Sequence, residues 1–280
     1  MSPLRKYLDV ALVGGVTLVC ALLLKVFVIE AFQIPSSSME NTLLIGDLVL
    51  VNKISYGLRT PGAIPFTSRR ITPWPIVSYG EVRRGDVIVF EFTLRGPDGI
   101  PADLLYYVKR CVGLPGDTVE LRRGRVFVNN LELLTPETVI LPRFRVAAHR
   151  EALFPLGVGF SDIDYGPIRV PKAGDVITLD PSQAPFWLPI LQRAGHFVEL
   201  RPNGSVLVDG MQRSEITLET DHFFVLGDHR DNSADSRMWG FVRRDEIVGE
   251  ALMVYWSMRE QEAETGDRSV RWGRIGTLIR

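Results

Sequence analysis

Little in this sequence can carry a disulfide, a metal or a nucleic acid. It holds two cysteines, Cys20 and Cys111. They lie far apart in apolar stretches, so no disulfide framework is expected and both read as buried thiols. There is no His-Glu-x-x-His and no paired Cys spacing, so no metal and no cofactor are expected. No Gly-x-Ser-x-Gly elbow is present, which removes the usual serine-hydrolase turn. The net charge is −1 and no Lys/Arg-rich run occurs, so nothing would neutralise a phosphate backbone, and nucleic acid is excluded as a partner. A second long apolar run is also missing.

The one long apolar run is at the N-terminus. It extends over 8–29, interrupted by Asp9 near its start and Lys25 near its end. As a helix it would span ~33 Å, enough to cross a hydrocarbon core. Lys25 can reach outward to the interface. Arg5 and Lys6 precede the run and favour a cytoplasmic N-terminus. A cleavable signal peptide is the alternative, but Lys25-Val26-Phe27-Val28-Ile29-Glu30 offers no small-residue cleavage site.

Beyond the run the pattern changes to short apolar or alternating stretches separated by Gly, Pro and Asn. Examples are Leu48–Val51, Val87–Phe92, Tyr106–Val112 and Ala251–Trp256. This is the signature of a mostly β domain. Gly-Asp precedes several of these stretches (Gly46-Asp47, Gly85-Asp86, Gly116-Asp117, Gly174-Asp175), which marks turns and makes those aspartates structural. The stretch from Val119 to Asn130 is echoed by Val198 to Gly210, each reading as a hairpin. The fold class expected is an N-terminal transmembrane helix followed by an antiparallel β-sheet catalytic domain with an inserted β-hairpin subdomain. Its divisions are a cytoplasmic N-terminus (1–7), the anchor (8–29), a catalytic domain (30–130 and 221–257), an insert (131–220) and a polar tail (258–280). In the tail, Arg271-Trp272 and Ile275 are docking candidates.

Three segments hold residues suited to chemistry. Ile34 to Leu43 contains three consecutive serines, Ser36 to Ser38, just past the apolar run. Taken alone, Ser37 and Glu40 also fit a helix-capping box. Tyr107 to Asp117 places Lys109 inside an apolar strand. A buried, unpaired ammonium is costly, so such a lysine either sits at an edge or has a lowered pKa. Alternation puts Tyr107, Lys109 and Cys111 on one face. Gly227 to Gly240 is dense in polar groups between Leu226 and Phe241, and reads as a structured loop.

These segments, with Arg84 to Phe90 between them, resemble the boxes of bacterial signal peptidase I in order and in placement after the anchor. The resemblance covers about Phe27–Tyr79, Glu81–Asn130 and His222–Trp256. It rests on Ser38-Met39, on Lys109-Arg110-x-Val-Gly-Leu-Pro-Gly-Asp117 and on Gly227-Asp-x-Arg-Asp-Asn-Ser-x-Asp-Ser-Arg237. It implies that Ser38 is the nucleophile and Lys109 its general base. Ser36 and the backbone N–H of Ser38 would form the oxyanion hole, and Ser233 would orient the lysine. Asp235 and Arg237 would be an ion pair near the site, with Asp228 and Arg230 in the same supporting loop. Asn41 departs from the proline that many members carry, and His229 from their asparagine. The implied activity is removal of leader peptides from exported preproteins, at a bacterial inner membrane with the catalytic domain on the outer side. The implied partners are preprotein signal peptides, preferring small residues at the first and third positions before the cut, and the lipid bilayer.

Three readings compete. A Ser–His–Asp hydrolase could use His149, His196, His222 or His229. A specialised processing peptidase could share the same Ser/Lys chemistry. A membrane-tethered β-domain could bind polypeptides without cutting them. The charge flanking the anchor generates one direct test. A cysteine probe placed in the 131–220 insert is predicted to react with an impermeant reagent applied from outside the cell. Labelling only after the cytoplasm is opened would reverse the topology.

Overall fold

The computed structural model describes residues 3–60, 75–95, 101–142, 153–259 and 269–280. The apolar run forms helix α1 (Pro3–Leu23), which widens into a π-helical turn over Leu24–Val28. Residues 9–28 have a mean hydropathy of 2.4 and none of them is buried within the protein. That length and composition suffice to cross a bilayer. Cys20 therefore stands exposed on a helix with no protein neighbour, and only Cys111 is buried. The expectation that both thiols are buried in protein is corrected accordingly. At Ile29 the helix passes directly into the first strand.

A seven-stranded antiparallel sheet forms the body of the molecule. Its strands are β1 (Ile29–Gln33), β2 (Asp47–Asn52), β5 (Val87–Arg95), β6 (Pro101–Gly113), β16 (His222–Leu226), β17 (Val242–Arg243) and β18 (Ile247–Ser257). Their spatial order is β1-β2-β18-β5-β6-β16-β17. Both faces of β5 are covered. Val87 and Val89 join Ile34, Met39, Leu43 and Val49 on one side. Ile88, Phe90 and Phe92 join Cys111, Phe223 and Val225 on the other. A strand buried on both faces has no polar side to show, so Val87–Phe90 reads as a continuous apolar run.

A second sheet packs against the end of the first. It contains β7 (Thr118–Arg122), β8 (Arg125–Val128), β9 (Leu131–Glu132) and β10 (Tyr165–Arg169), in the order β10-β7-β8-β9. Val119, Leu121 and Val126 meet Val112, Phe224 and Leu226 across the interface. The 131–220 stretch thus contributes β9 and β10 to a sheet whose other two strands begin at Thr118. Pairing with β10 closes the free edge of β7. The remainder of that stretch has a core of its own, built on Ile177, Leu179, Leu191, Val206, Val208 and Leu218. Around it stand β11 (Val176–Thr178), α2 (Ala184–Arg193), β12 (Val198–Leu200), β13 (Val206–Val208), β14 (Met211–Gln212) and β15 (Glu215–Thr217). Both echoed hairpins are present, as β7 with β8 and β12 with β13. A small pair, β3 (Leu58–Arg59) with β4 (Pro75–Val77), lies beyond β2.

The four Gly-Asp pairs build one turn four times. In each, the aspartate carboxylate accepts from the backbone N–H three residues earlier: Leu44 for Asp47, Arg83 for Asp86, Leu114 for Asp117 and Lys172 for Asp175. The glycine takes a left-handed φ of 84° to 97° in all four, which a side chain would oppose. Asp47 does more than close its turn. It is fully buried and accepts from Ser257 Oγ at 2.6 Å and from Arg274 Nη2 at 2.5 Å. Arg274 also holds the Thr42 carbonyl at 3.0 Å, and Arg271 holds Ile45 O at 2.6 Å. Residues 269–280, expected as part of a polar tail, are therefore clamped onto the segment that follows the three serines. Trp272 meets Trp256 edge-on at 5.9 Å.

Removing Asp47 would strand a half-buried guanidinium. Asp47→Ala is predicted to lower stability by roughly 3 kcal/mol, read by denaturant or thermal unfolding. An unchanged midpoint would mean that water replaces the carboxylate without cost.

Candidate active site

Three segments distant in sequence meet at Ser38. The first is the chain leaving β1. It does not form the helix that a capping box would start. It makes successive turns, with Glu40 N–H bonding Ser37 O and Leu43 N–H bonding Met39 O. Met39 and Leu43 plug the core on one side, which fixes the serines on the other. Asn41 adopts φ 72°, a left-handed conformation that asparagine tolerates and proline cannot reach. The second segment is β6, which delivers Lys109. The third is the loop 227–235 after β16, whose His229 N–H holds the Ser38 carbonyl at 3.0 Å.

Lys109 is only 2% exposed. Its Nζ donates to Ser38 Oγ at 2.6 Å and to its neighbour Val108's carbonyl at 3.1 Å. The Tyr107 ring, on the same face of β6, lies 5.5 Å from the ammonium. Burial pushes the lysine pKa down, Asp235 and Asp228 pull the other way, and the balance falls at about 8. Neither aspartate forms an ion pair with the lysine. Asp235 is held by Arg237 through Nε at 2.9 Å and Nη2 at 2.8 Å. Burial alone would raise the Asp235 carboxyl, but the Arg237 guanidinium overrides this and keeps it below the usual range. Asp228 is held by Arg110, at 2.8 and 2.6 Å, and accepts Thr42 Oγ1 at 2.5 Å.

The expected residues are placed as follows. Ser36 Oγ lies 3.4 Å from Ser38 Oγ. Arg230 faces the loop itself, donating to Gly227 O at 3.1 Å and to Gly124 O at 3.2 Å. Ser233 Oγ is buried and makes no hydrogen bond to Lys109 among the described residues. It sits against Gly227, where an added Cβ would fall 2.1 Å from Ser233 Oγ and 2.6 Å from Ser38 O. Gly227 is therefore a requirement of the site that the sequence did not single out. Arg110, Thr42 and Asn232 were missed as well. Asn232 Nδ2 donates to Ser37 Oγ at 2.8 Å and ties the loop to the serines. Arg110 was recoverable, since it adjoins Lys109 in an apolar strand and needs a buried acid.

The histidines serve other purposes. His229 Nδ1 lies 3.0 Å from the Glu40 carboxylate without a hydrogen bond to it, His196 pairs with exposed Asp209, and His222 is buried beside Phe241. His149 lies outside the described residues. A cleft of about 210 Å³ opens next to Ser38 between the end of β1 and β6, walled by Phe32, Ile34, Leu105 and Tyr107.

What emerges is a β-sheet domain tethered to an apolar helix, with a serine hydroxyl set against a buried lysine. The chain belongs to the family described as signal peptidase, peptidase S26, which it matches over residues 7–256. It is 31% identical over 264 residues to a signal peptidase I of Buchnera aphidicola, covering 90% of this chain and 77% of that one. It is 31% identical to the signal peptidase I of Pseudomonas aeruginosa, covering 84% and 68%. To that of Helicobacter pylori it is 30% identical, covering 92% and 88%.

The pKa of about 8 sets a pH dependence. If the neutral amine is the active form, activity rises with pH through that value, and at pH 6 roughly one hundredth of it remains. The same shift is a stability statement. Below pH 8 the folded chain holds a buried ammonium against its preference, so the cost is present at neutral pH and fades as pH rises toward the free-lysine value. Lys109→Met is thus predicted to be inactive yet about 2–3 kcal/mol more stable at pH 6–7. Thermal unfolding checks this, and a less stable variant would contradict it.

Proposed function

We propose that this chain removes signal peptides from exported preproteins as a membrane-anchored serine endopeptidase, with Ser38 as nucleophile and Lys109 as general base. One observation carries the assignment: the 2.6 Å contact between Ser38 Oγ and a buried lysine whose pKa is lowered to about 8. An ammonium can only donate in that contact. Once neutral, the amine accepts the hydroxyl proton as Oγ attacks the scissile carbonyl. The ammonium so formed returns the proton to the departing amine. Water then attacks the acyl-enzyme by the same route. Metal chemistry is not invoked for any of these steps.

Charge develops on the carbonyl oxygen during attack. The Ser38 N–H and the Ser36 hydroxyl are the donors available on that side of Oγ. The cleft beside Ser38 admits short side chains against Ile34 and Tyr107, in keeping with small residues before the cut. Ser233 supports the site by packing against Gly227 behind Ser38 rather than by bonding the lysine. Residues 8–29 serve as the membrane anchor, residues 1–7 stay in the cytoplasm, and the sheets lie on the outer side. Lipid bilayer and preprotein signal peptides are then the two partners.

Cleavage of a preprotein by purified enzyme in detergent or lipid tests this reading. Ser38→Ala is expected to abolish cleavage, and Ser36→Ala to lower kcat by about 10²–10³ with little change in KM. A Ser38→Ala enzyme that still cuts would refute the nucleophile. A Ser36→Ala effect confined to KM would make Ser36 a binding residue.

A further inference from the structure

We infer that Arg59 and Arg244 form a phosphate-binding site beside the root of the anchor, which takes the headgroup of an anionic lipid. The two side chains line a cavity of about 150 Å³ with Tyr56, Ser78, Thr220 and Asp245. That volume is well above the roughly 10–15 Å³ that one water needs. Neither guanidinium is paired with a described carboxylate. Arg59 donates to the carbonyls of Ile247 and Asp245, and Arg244 to that of Tyr56. The nearest acids are committed elsewhere. Asp245 pairs with Arg243 at 2.5 Å, Asp221 accepts the Ala173 N–H at 2.9 Å, and Glu91 accepts Tyr106 Oη at 3.3 Å.

Two like charges are thus half-buried side by side, attracted by Asp245, Glu91 and Asp221 but in direct ion-pair contact with none of these acids. Burial lowers both guanidinium pKa values, and for Arg244 the next cause is Arg59 itself. Two guanidinium forks side by side on one cavity match a phosphate or a similar oxyanion. Hydroxyls of Ser78 and Thr220 in the same wall add neutral donors.

The place of the cavity selects the source of the phosphate. Asn52 pairs with Ile29, the first strand residue after the apolar helix. Lys53 bonds the carbonyl of Val26, inside the last turn of that helix, and the Glu30 carboxylate. Tyr56 follows Asn52 by four residues, so its Cα lies within about 15 Å of that point. The headgroup layer is about 5–7 Å deep on each side of the hydrocarbon. The cavity is thus close to where the headgroups begin, and its two guanidiniums favour anionic over neutral lipid. The lipid assignment rests on residues 8–29 being the membrane anchor, whereas the phosphate site itself does not.

The test is thermal unfolding of the full chain in neutral detergent. It is run with added phosphatidylglycerol, with phosphatidylcholine, and with inorganic phosphate against chloride at equal ionic strength. Phosphatidylglycerol is expected to raise the midpoint by about 5 °C at saturation, phosphatidylcholine to leave it unchanged, and inorganic phosphate to give a smaller rise. Arg59→Gln or Arg244→Gln should weaken the lipid response about fivefold in affinity. A rise with phosphate but none with phosphatidylglycerol would overturn the lipid source and leave the anion site. No response to either, or an equal response in both variants, would overturn the site. Should the variants fail to fold, phenylglyoxal modification of the wild type decides. Arg59 and Arg244 should be protected by phosphatidylglycerol and not by phosphatidylcholine, and equal modification in both would overturn the proposal.

Discussion

The burial of Lys109 is the constraint on which the rest of the site depends. An amine 2% exposed on an apolar strand resists protonation, and that resistance is what could make it a base near neutral pH. Two buried aspartates stand close enough to undo it. Asp228 and Asp235 both favour the ammonium. Each is instead neutralised by its own guanidinium, Arg110 or Arg237, with side chains 0–3% exposed. Arranged in this way, the acids can organise the loop 227–235 without claiming the lysine. The Gly227 N–H bonds Asp235 at 3.1 Å, and the Asp228 carbonyl receives Ile140 N–H at 2.8 Å.

The same pairs connect the site to the whole domain. Thr42 touches Asp228 through its side chain and Arg274 through its carbonyl. Arg274 in turn holds Asp47, at the start of β2. A continuous set of buried polar contacts therefore runs from the 269–280 segment, through the turn after Ser38, to the loop behind Lys109. Buried networks of this kind add little net stability but specify one arrangement when every member is satisfied. Here that arrangement brings Oγ and Nζ to hydrogen-bond distance across 71 residues of sequence.

The anchor was legible because an apolar run of that length has few other uses. The strands were legible from alternation and from Gly-Asp turns, and the lysine from the conflict between its charge and its neighbours. Pairings were not. Nothing in Tyr165–Arg169 announces that it closes the edge of Thr118–Arg122, because edge pairing is decided by backbone groups that every residue carries. Nor could spacing show that Asp228 answers Arg110 rather than Arg230, since both guanidiniums suit a carboxylate and only the fold sets the distances. The start of β1 was hidden for a different reason. Val26 to Ile29 runs apolar straight through the change from helix to strand, and hydropathy does not register that change.

The central claim is that burial keeps enough of Lys109 unprotonated near neutral pH to act as a base, and its pKa can be measured without substrate. The chain has only five lysines, so a ¹³Cε-lysine NMR titration of the full-length protein resolves few signals, and Lys109→Arg assigns the one in question. The account predicts that this signal titrates near pH 8, well below the value of about 10.4 for a free lysine side chain. A Lys109 signal that titrates at the free side-chain value of about 10.4 would contradict it.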